Sequence, residues 1–416
     1  MLSVVEASER ILADIPRMSV ERRPLLEALG QVLAETITAP NTIPPWTNSA
    51  MDGYAVIGSD ILGASVASPV RLPVVETIAA GAFPSRALRA GETMRIMTGA
   101  PLPEGADTVI RVEDTDGGTN AVQIRDARDL RKNLRHRGED ISAGDVVLEP
   151  GMPLAAAQLG VLASVGAAEV GVYGRPRIGI LGSGDELVDL DRFDEVVSGD
   201  KIVSSNSYTL HALVQNAGGI PVPLGIAPDE PGVLGDYIRR SAGCDMLITS
   251  AGISVGEFDH TRAVLTSLGA EMKFWKVRMR PGAPLGFGVL GRMPWIGLPG
   301  NPVSAMVTFE LFVRPAIRKM LGYANLFRQS VKVELTEDVT IGAKLMHFLR
   351  AIISAEGNGR ITARLTGPQG SGILTSMSLA NALLVVPEDR QLSPAGSWLT
   401  AIPLTDDAAA SARFEL

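Results

Sequence analysis

Between residues 176 and 322 the sequence alternates short apolar runs with helical stretches, and nearly every apolar run ends in glycines, carboxylates or cations. Strand candidates are Ile178 to Leu181, Ile220 to Leu224, Met246 to Thr249, Phe274 to Val277, Leu285 to Val289 and Trp295 to Leu298. Between them fall helical stretches Ser207 to Gln215, Val233 to Arg240 and Thr261 to Leu268. A last helix opens at Asn301-Pro302 and closes near Gly322. Asn as N-cap with Pro at the first helical position is a strong start signal. Such alternation predicts a doubly wound, mostly parallel sheet with helices on both faces.

In an open sheet of this kind ligands lie beyond the carboxyl ends of the strands, where loops feed helix N-termini. The first strand end carries Gly182, Ser183, Gly184, Asp185 and Glu186, the second Asp229, and the third Ser250, Gly252, Ser254, Gly256 and then Asp259. Lys276 lies near the end of the fourth, Arg278 and Arg280 follow it, and Pro299, Gly300, Asn301 and Pro302 end the last. Glycines let backbone N–H groups approach a phosphate, while Asp185, Glu186, Asp229 and Asp259 repel one another unless a hard cation such as Mg²⁺ joins them. The cations offer anion contacts. Plainer readings stand beside these. Asp185 and Glu186 also suit the first turn of a helix, and Ser250 to Gly256 also suits an ordinary turn. Lys276 and Arg278 alternate along a strand and could face solvent. Gly182-x-Gly184 lacks the third glycine of a dinucleotide fingerprint, where Leu187 stands.

The flanks have other textures. Ser3 and Glu6 form a capping-box pattern ahead of Val4, Ala7, Ile11 and Leu12, and Pro24 to Leu29 reads as a second helical stretch. Asn41 to Trp46 is too proline-rich for either regular element. Five strand candidates follow: Tyr54 to Ile57, Val70 to Ile78, Thr93 to Met97, Thr108 to Val112 and Ala121 to Ile124. An uncharged, Ala-rich stretch over 150–168 contains Pro150, Pro153 and three glycines, and reads as a buried helix rather than a membrane span. Beyond 323, Val331 to Leu335, Phe348 to Ile353, Ile361 to Leu365 and Leu383 to Val386 read as strands. The expected fold is a multidomain α/β chain with a doubly wound sheet domain. Its parts are a discontinuous helical domain (1–46 with 141–173), a β-rich insert (47–140), the sheet domain (174–323) and a small C-terminal β domain (324–416).

A formal charge of -8 argues against a nucleic-acid partner, and the basic run from Arg128 to Arg137 is interrupted by Asp129. The single Cys244 cannot form an internal disulfide and reads as a buried structural thiol. Four scattered histidines lack metal-ligand spacing, so any metal should be hard and oxygen-bound. Glu6, Glu9 and Arg10 interrupt any signal-peptide pattern, and the expected location is the cytoplasm, with no membrane partner.

Separated motifs run nearly the whole length: Asn48 to Ala55, Met97 to Ala100, Gly105 to Asp107, Gly138 to Asp140, Gly182 to Leu187, Ser254 to Gly256, Leu298 to Ser304, and Gly370-Ser371 to Ala380-Asn381. In this order they resemble the MoeA family of molybdopterin molybdenumtransferases, which includes the gephyrin E domain. The resemblance implies a four-domain homodimer with an active site between the sheet domain of one subunit and the insert of the other. Functional positions carried over are Asp52, Thr98 and Asp140 from the insert and Glu186, Asp229, Asp259, Lys276 and Arg280 from the sheet domain, with Ser304, Arg350 and Ser371 completing a molybdate pocket. The implied reaction takes adenylated molybdopterin and molybdate, cleaves the adenylate with Mg²⁺, and releases AMP and molybdenum cofactor. Transient contacts with a molybdopterin adenylyltransferase and with cofactor-receiving enzymes are implied as well. Departures from the family pattern are Ser183 for Thr, Ala251 for Gly and Arg280 for Lys. The alternatives are a molybdopterin adenylyltransferase, whose single domain resembles residues 176–322, and a non-catalytic cofactor-binding or scaffold protein.

Overall fold

A computed structural model of the chain describes residues 1–250, 260–356 and 359–405. It divides into two compact units, Met1–Ala34 with Pro150–Leu154 and Glu169–Leu416, and Glu35–Glu149 with Ala155–Ala168.

In the first unit a six-stranded sheet has the order Ile220–Ala227, Arg177–Ser183, Met246–Ser250, Met293–Leu298, Pro284–Leu290, Ala270–Lys276. The first four strands are mutually parallel, and Pro284–Leu290 is the one strand running against them. All six expected strands are present. Side chains alternate between two cores, as the period of a strand demands. Ile178, Ile180, Met246, Ile248, Ile296 and Leu298 face one core with Leu210 and Val214 of helix Ser205–Asn216. Leu181, Leu247 and Trp295 face the other with Leu234, Ile238, Val264 and Leu265 of helices Pro231–Arg239 and His260–Ser267.

The last expected helix is continuous from Pro302 to Met320 but passes through a π-helical turn at Phe309–Val313. Pro315 accounts for it, because a proline nitrogen cannot donate back to the preceding turn. The Ser3 capping box forms, with Glu6 N–H donating to Ser3 Oγ at 3.2 Å and Ser3 N–H to Glu6 Oε2 at 2.8 Å. This N-terminal helix, Val4–Asp14, buries Ala7 and Ile11 in the same core as Ile178 and Phe312. A cap contributes about 1 kcal/mol, whereas a buried Ile contributes about 1.5–3 kcal/mol, so packing decides which unit the helix joins.

The C-terminal residues close into a small barrel. Strands Met346–Ala355, Ile361–Leu365, Val331–Leu335, Trp398–Pro403 and Ala382–Val386 pair in that order, and the last returns to the first. Four of these match the expected strands. Trp398–Pro403 was not expected; its Leu399 and Ala401 point inward and complete the ring. The two-residue strand Met279–Arg280 pairs with Met346–His347, joining the sheet domain to the barrel.

In the second unit, five strands lie in the order Thr108–Arg111, Gly53–Val56, Thr93–Ile96, Val70–Ile78, Ala121–Ile124. These are the five strands expected of the insert. Tyr54 and Val56 pack on one face with Leu72, Ile110 and Val122, and Ala55 packs on the other with Ile78, Met94 and Ile96.

Several expectations need correction. Pro24 to Leu29 is not an α-helix: Val20–Pro24 is a strand paired with Glu169–Tyr173, followed by one 3₁₀ turn, because a first turn opening at Pro24 has too few residues before Gly30 to propagate. The Ala-rich stretch gives only the nine-residue helix Ala156–Ser164, and Leu162 is its one buried residue. That helix falls in the second unit, where Val165 packs with Ala39 and Ile141, rather than beside the N-terminal helix. The two-way division therefore differs from the four-part partition. Asn41 to Trp46 forms neither helix nor named strand, as expected, and is pinned where Ile43 N–H donates to Ile141 O at 2.7 Å. Among the described residues no helix is long and apolar enough to cross a membrane.

Candidate active site

Arg177–Ser183 leaves the sheet through Gly184, whose φ of +145° is a region side chains rarely adopt, and an added Cβ would lie 2.5 Å from Glu186 Oε2. Glycine here lets the chain turn so that Asp185 and Glu186 stand beyond the strand. The neighbouring strand, Ile220–Ala227, delivers Asp229 to the same place, and its amide donates to Asp185 Oδ1 at 3.1 Å. The Asp229 carboxyl is pushed above the usual carboxylate range, first by burial and then by the charges of Asp185 and Glu186. Lys201 Nζ donates to the Asp185 carbonyl at 2.6 Å and holds the turn.

Beside Glu186 opens a cavity of about 700 Å³, lined also by Asn206, Ser250, Pro299, Gly300, Asn301 and Pro302. Its size suits a cofactor-sized ligand. Asn206 Nδ2 donates to Ser250 Oγ at 2.7 Å and to the Gly300 carbonyl at 2.8 Å, tying three elements together at the rim. Sequence reasoning missed this residue, because a Ser-Ser-Asn cluster at a helix start reads as routine capping. Ser183 is buried, with its hydroxyl oxygen unpartnered among the described residues.

Asn301 occupies the N-cap position without making a side-chain cap. Its Nδ2 instead reaches Ser371 Oγ at 3.1 Å, and Val303 N–H donates to the Ser371 carbonyl at 3.2 Å. The barrel loop carrying Ser371 is thereby fastened to the last strand end of the sheet. Gly370, next to it, accepts from Arg350 Nη2 at 2.8 Å, and Arg350 Nε donates to Ser376 Oγ at 3.0 Å. Arg350 is fully buried, and its Nη1 has no partner among the described residues. Burial pushes the guanidinium below its ordinary range. A buried cation with an unused donor is a place for an anion.

Arg280 sits opposite His347 in the Met279–Arg280 pairing, three residues before Arg350 on the same strand. His347 is buried, donates its Nδ1–H to the Leu345 carbonyl at 2.7 Å, and is held below the ordinary imidazole range by burial and then by Arg280. Lys276 ends its strand exposed, and Ser304 is buried in the first turn of its helix. Arg278 is not an available anion contact: its Nη2 meets both carboxylate oxygens of Glu388, at 2.6 and 2.7 Å. Cys244 is half-buried rather than fully buried, with its thiol pushed up by burial.

In the second unit Asp52 Oδ1 accepts both the amide and the hydroxyl of Thr98, at 2.7 and 2.8 Å. The two bonds, the amide's foremost, hold the carboxyl below its ordinary range. Asp140 is exposed on another turn, its amide donating to the Ile43 carbonyl at 3.1 Å, and no hydrogen bond joins it to that pair. Ala251, Gly252, Ser254, Gly256 and Asp259 lie outside the described residues. Among the described residues no three His, Cys, Asp or Glu side chains form a ready metal cage.

The family models for the MoeA N-terminal region (domain I and II), a probable molybdopterin binding domain, and the MoeA C-terminal region (domain IV) match residues 2–166, 179–319 and 332–404. The chain belongs to the MoeA family of molybdopterin molybdenumtransferases. It is 37% identical over 408 residues to molybdopterin molybdenumtransferase 2 of Mycobacterium tuberculosis, covering 96% of this chain and 99% of that one. The molybdopterin molybdenumtransferase of Nostoc sp. is 36% identical, covering 93% and 90%. A molybdopterin biosynthesis MoeA protein of Pyrococcus horikoshii superposes with a TM-score of 0.83 at 30% identity, covering 96% of this chain and 99% of that one. MoeA relatives thus match from end to end, including the insert and the barrel that a single-domain adenylyltransferase does not account for.

Proposed function

We propose that this MoeA chain inserts molybdenum from molybdate into adenylated molybdopterin, with Mg²⁺-dependent release of AMP, as a cytoplasmic homodimer. The observation that carries this reading is the pairing of opposite chemistries in one unit. Glu186, beside Asp185 and Asp229, lines a cofactor-sized cavity, and Asn301, which lines it too, is hydrogen-bonded to the loop that holds a buried, half-used guanidinium.

The residues divide the labour accordingly. Asp185, Glu186 and Asp229 fit a hard cation, since their donors are oxygens and Asp229, raised first by burial, is raised further by the charges of Asp185 and Glu186. Mg²⁺ is commonly held by one or two carboxylates plus substrate phosphates rather than by a full protein cage. Bound there, it would neutralise charge on the adenylate phosphate. Glycines and hydroxyls at the strand ends orient the phosphate and pterin, and walls such as Pro299 and Pro302 exclude water. Arg350, Arg280, Lys276, Ser304 and Ser371 hold molybdate, a tetrahedral dianion that needs cations and hydroxyl donors.

Asp52, Thr98 and Asp140 act, in this reading, on the ligand held by a partner subunit, as the family resemblance implies. The test is to mix the purified chain with adenylated molybdopterin, molybdate and Mg²⁺ and follow AMP. Release that needs both molybdate and Mg²⁺ supports the reading. Pyrophosphate release from ATP and molybdopterin, or binding without turnover, would replace it with adenylyl transfer or a binding role.

A further inference from the structure

The hydrogen-bond polarity around Asn206 goes beyond the roles assigned so far. Asn206 is 8% exposed, in the first turn of helix Ser205–Asn216, and lines the cavity with Ser250, which is 4% exposed. An amide side chain can be turned either way around, but here the Gly300 carbonyl, 2.8 Å away, can only accept, so the NH₂ group must face it. The same NH₂ lies 2.7 Å from Ser250 Oγ. Ser250 is therefore an acceptor toward Asn206, and its own proton must go elsewhere. Among the described residues nothing accepts it.

We infer that Asn206 is a positioning residue that fixes the Ser250 hydroxyl as a hydrogen-bond donor into the cavity, aimed at a phosphate oxygen of the adenylated ligand, while anchoring the Gly300 loop that also lines it. The choice of a phosphate oxygen rests on the function proposed above. A serine hydroxyl left to rotate presents lone pairs as readily as its proton, and lone pairs repel an anion. With one lone pair committed to an amide, the hydroxyl meets the anion proton-first and needs no reorientation when the ligand arrives. Asn206 need not touch the ligand for this.

A double-mutant cycle on the full-length chain tests the pairing: wild type, Asn206→Ala, Ser250→Ala and the double variant, titrated with AMP in the presence of Mg²⁺ and without molybdate. Each single variant should weaken AMP binding by about tenfold, the loss expected for one hydrogen bond to a charged group. Because both remove the same donor, the double variant should be no weaker than the worse single variant, with thermal midpoints close to wild type. If Asn206→Ala does not fold, Asn206→Ser, which keeps one donor for one of the two acceptors, takes its place in the cycle. Losses that multiply in the double variant, or an Asn206 variant that binds AMP like wild type, overturn the pairing. A wild-type chain that does not bind AMP overturns both the assigned ligand and the reading beneath it. A non-additive cycle in a chain that inserts no molybdenum keeps the Asn206–Ser250 pair and removes only the transferase reading.

Discussion

Arg350 donates through Nε to the Ser376 hydroxyl at 3.0 Å and through Nη2 to the Gly370 carbonyl at 2.8 Å, and neither neighbour carries a charge. Among the described residues no carboxylate lies within salt-bridge distance of it. The fold therefore bears the desolvation cost of a guanidinium with no anion to offset it, which is unfavourable unless a ligand supplies the anion.

That arrangement separates stability from function. Replacing Arg350 by Met, of comparable length, should leave the thermal midpoint unchanged or raised, because a buried charge gives way to an apolar side chain. The molybdate concentration needed for half-maximal insertion should rise by roughly ten- to a hundredfold, the worth of one charge-assisted contact. A matching fall in thermal stability would instead mark Arg350 as a structural residue.

By the motif resemblance, Arg280 on the neighbouring strand stands where the family pattern has Lys. Arg offers a planar fork and Lys a compact charge, but both are cations at the same strand end. Arg280→Lys should keep measurable insertion, while Arg280→Ala should raise the molybdate requirement by on the order of ten- to a hundredfold with little change in binding of the adenylated pterin. If the pterin affinity fell and the molybdate dependence did not, Arg280 would belong to the phosphate end of the site.

Asp229 makes a prediction about pH. Its carboxyl is raised in the folded chain, by burial and by Asp185 and Glu186, so the folded state binds the proton more tightly than the unfolded state. The stabilisation it gives is complete below the unfolded value of about 3.8 and is lost as pH rises through the higher folded value. Asp229→Asn should remove that part of the pH dependence of the melting temperature. At neutral pH, Mg²⁺ should raise the melting temperature of the wild type more than that of the variant, and turnover of the variant should collapse. Equal Mg²⁺ stabilisation of the two proteins would take Asp229 out of the metal site.

Asp52 has the opposite sign, since the amide and hydroxyl of Thr98 stabilise its ionised form. Thr98→Val removes the hydroxyl and leaves the amide. The Asp52 titration, followed by carboxyl carbon resonances, should move part of the way back toward its ordinary range. No movement would mean that the hydroxyl bond does not persist in solution.

The proposed sharing of the site between subunits is tested by mixing Asp52→Ala and Asp229→Ala chains, each inactive alone. Heterodimers hold one composite site with both carboxylates intact and one with neither, so activity should reappear. Verified heterodimers without activity would place each site within one chain.

How much of this was legible beforehand follows from the range of the forces involved. The strand–helix alternation of residues 176–322, the five strands of the insert and four of the five barrel strands are written in local periodicity, and a strand's two-residue period survives whatever it packs against. The places of Asp185, Glu186, Asp229 and Arg280 at strand ends were legible too, because they follow from the order of strands and loops in a doubly wound sheet. Local pattern failed where packing between distant segments decides. The cap at Ser3 was visible, but not that Ala7 and Ile11 would join the sheet core. Asn301 looked like a helix cap, yet its amide turns to Ser371, 70 residues away. Arg278 and Arg280 look alike in sequence; Glu388, 110 residues on, neutralises only Arg278. Asn206 carried no signal, since its meaning depends on Ser250 and Gly300 arriving from two other strand ends. Which residues are able to bind is written along the chain, because chemistry is local to a side chain. Tertiary structure decided which of them remain free to bind, because a hydrogen bond or ion pair is made with whatever the fold brings within about 3 Å.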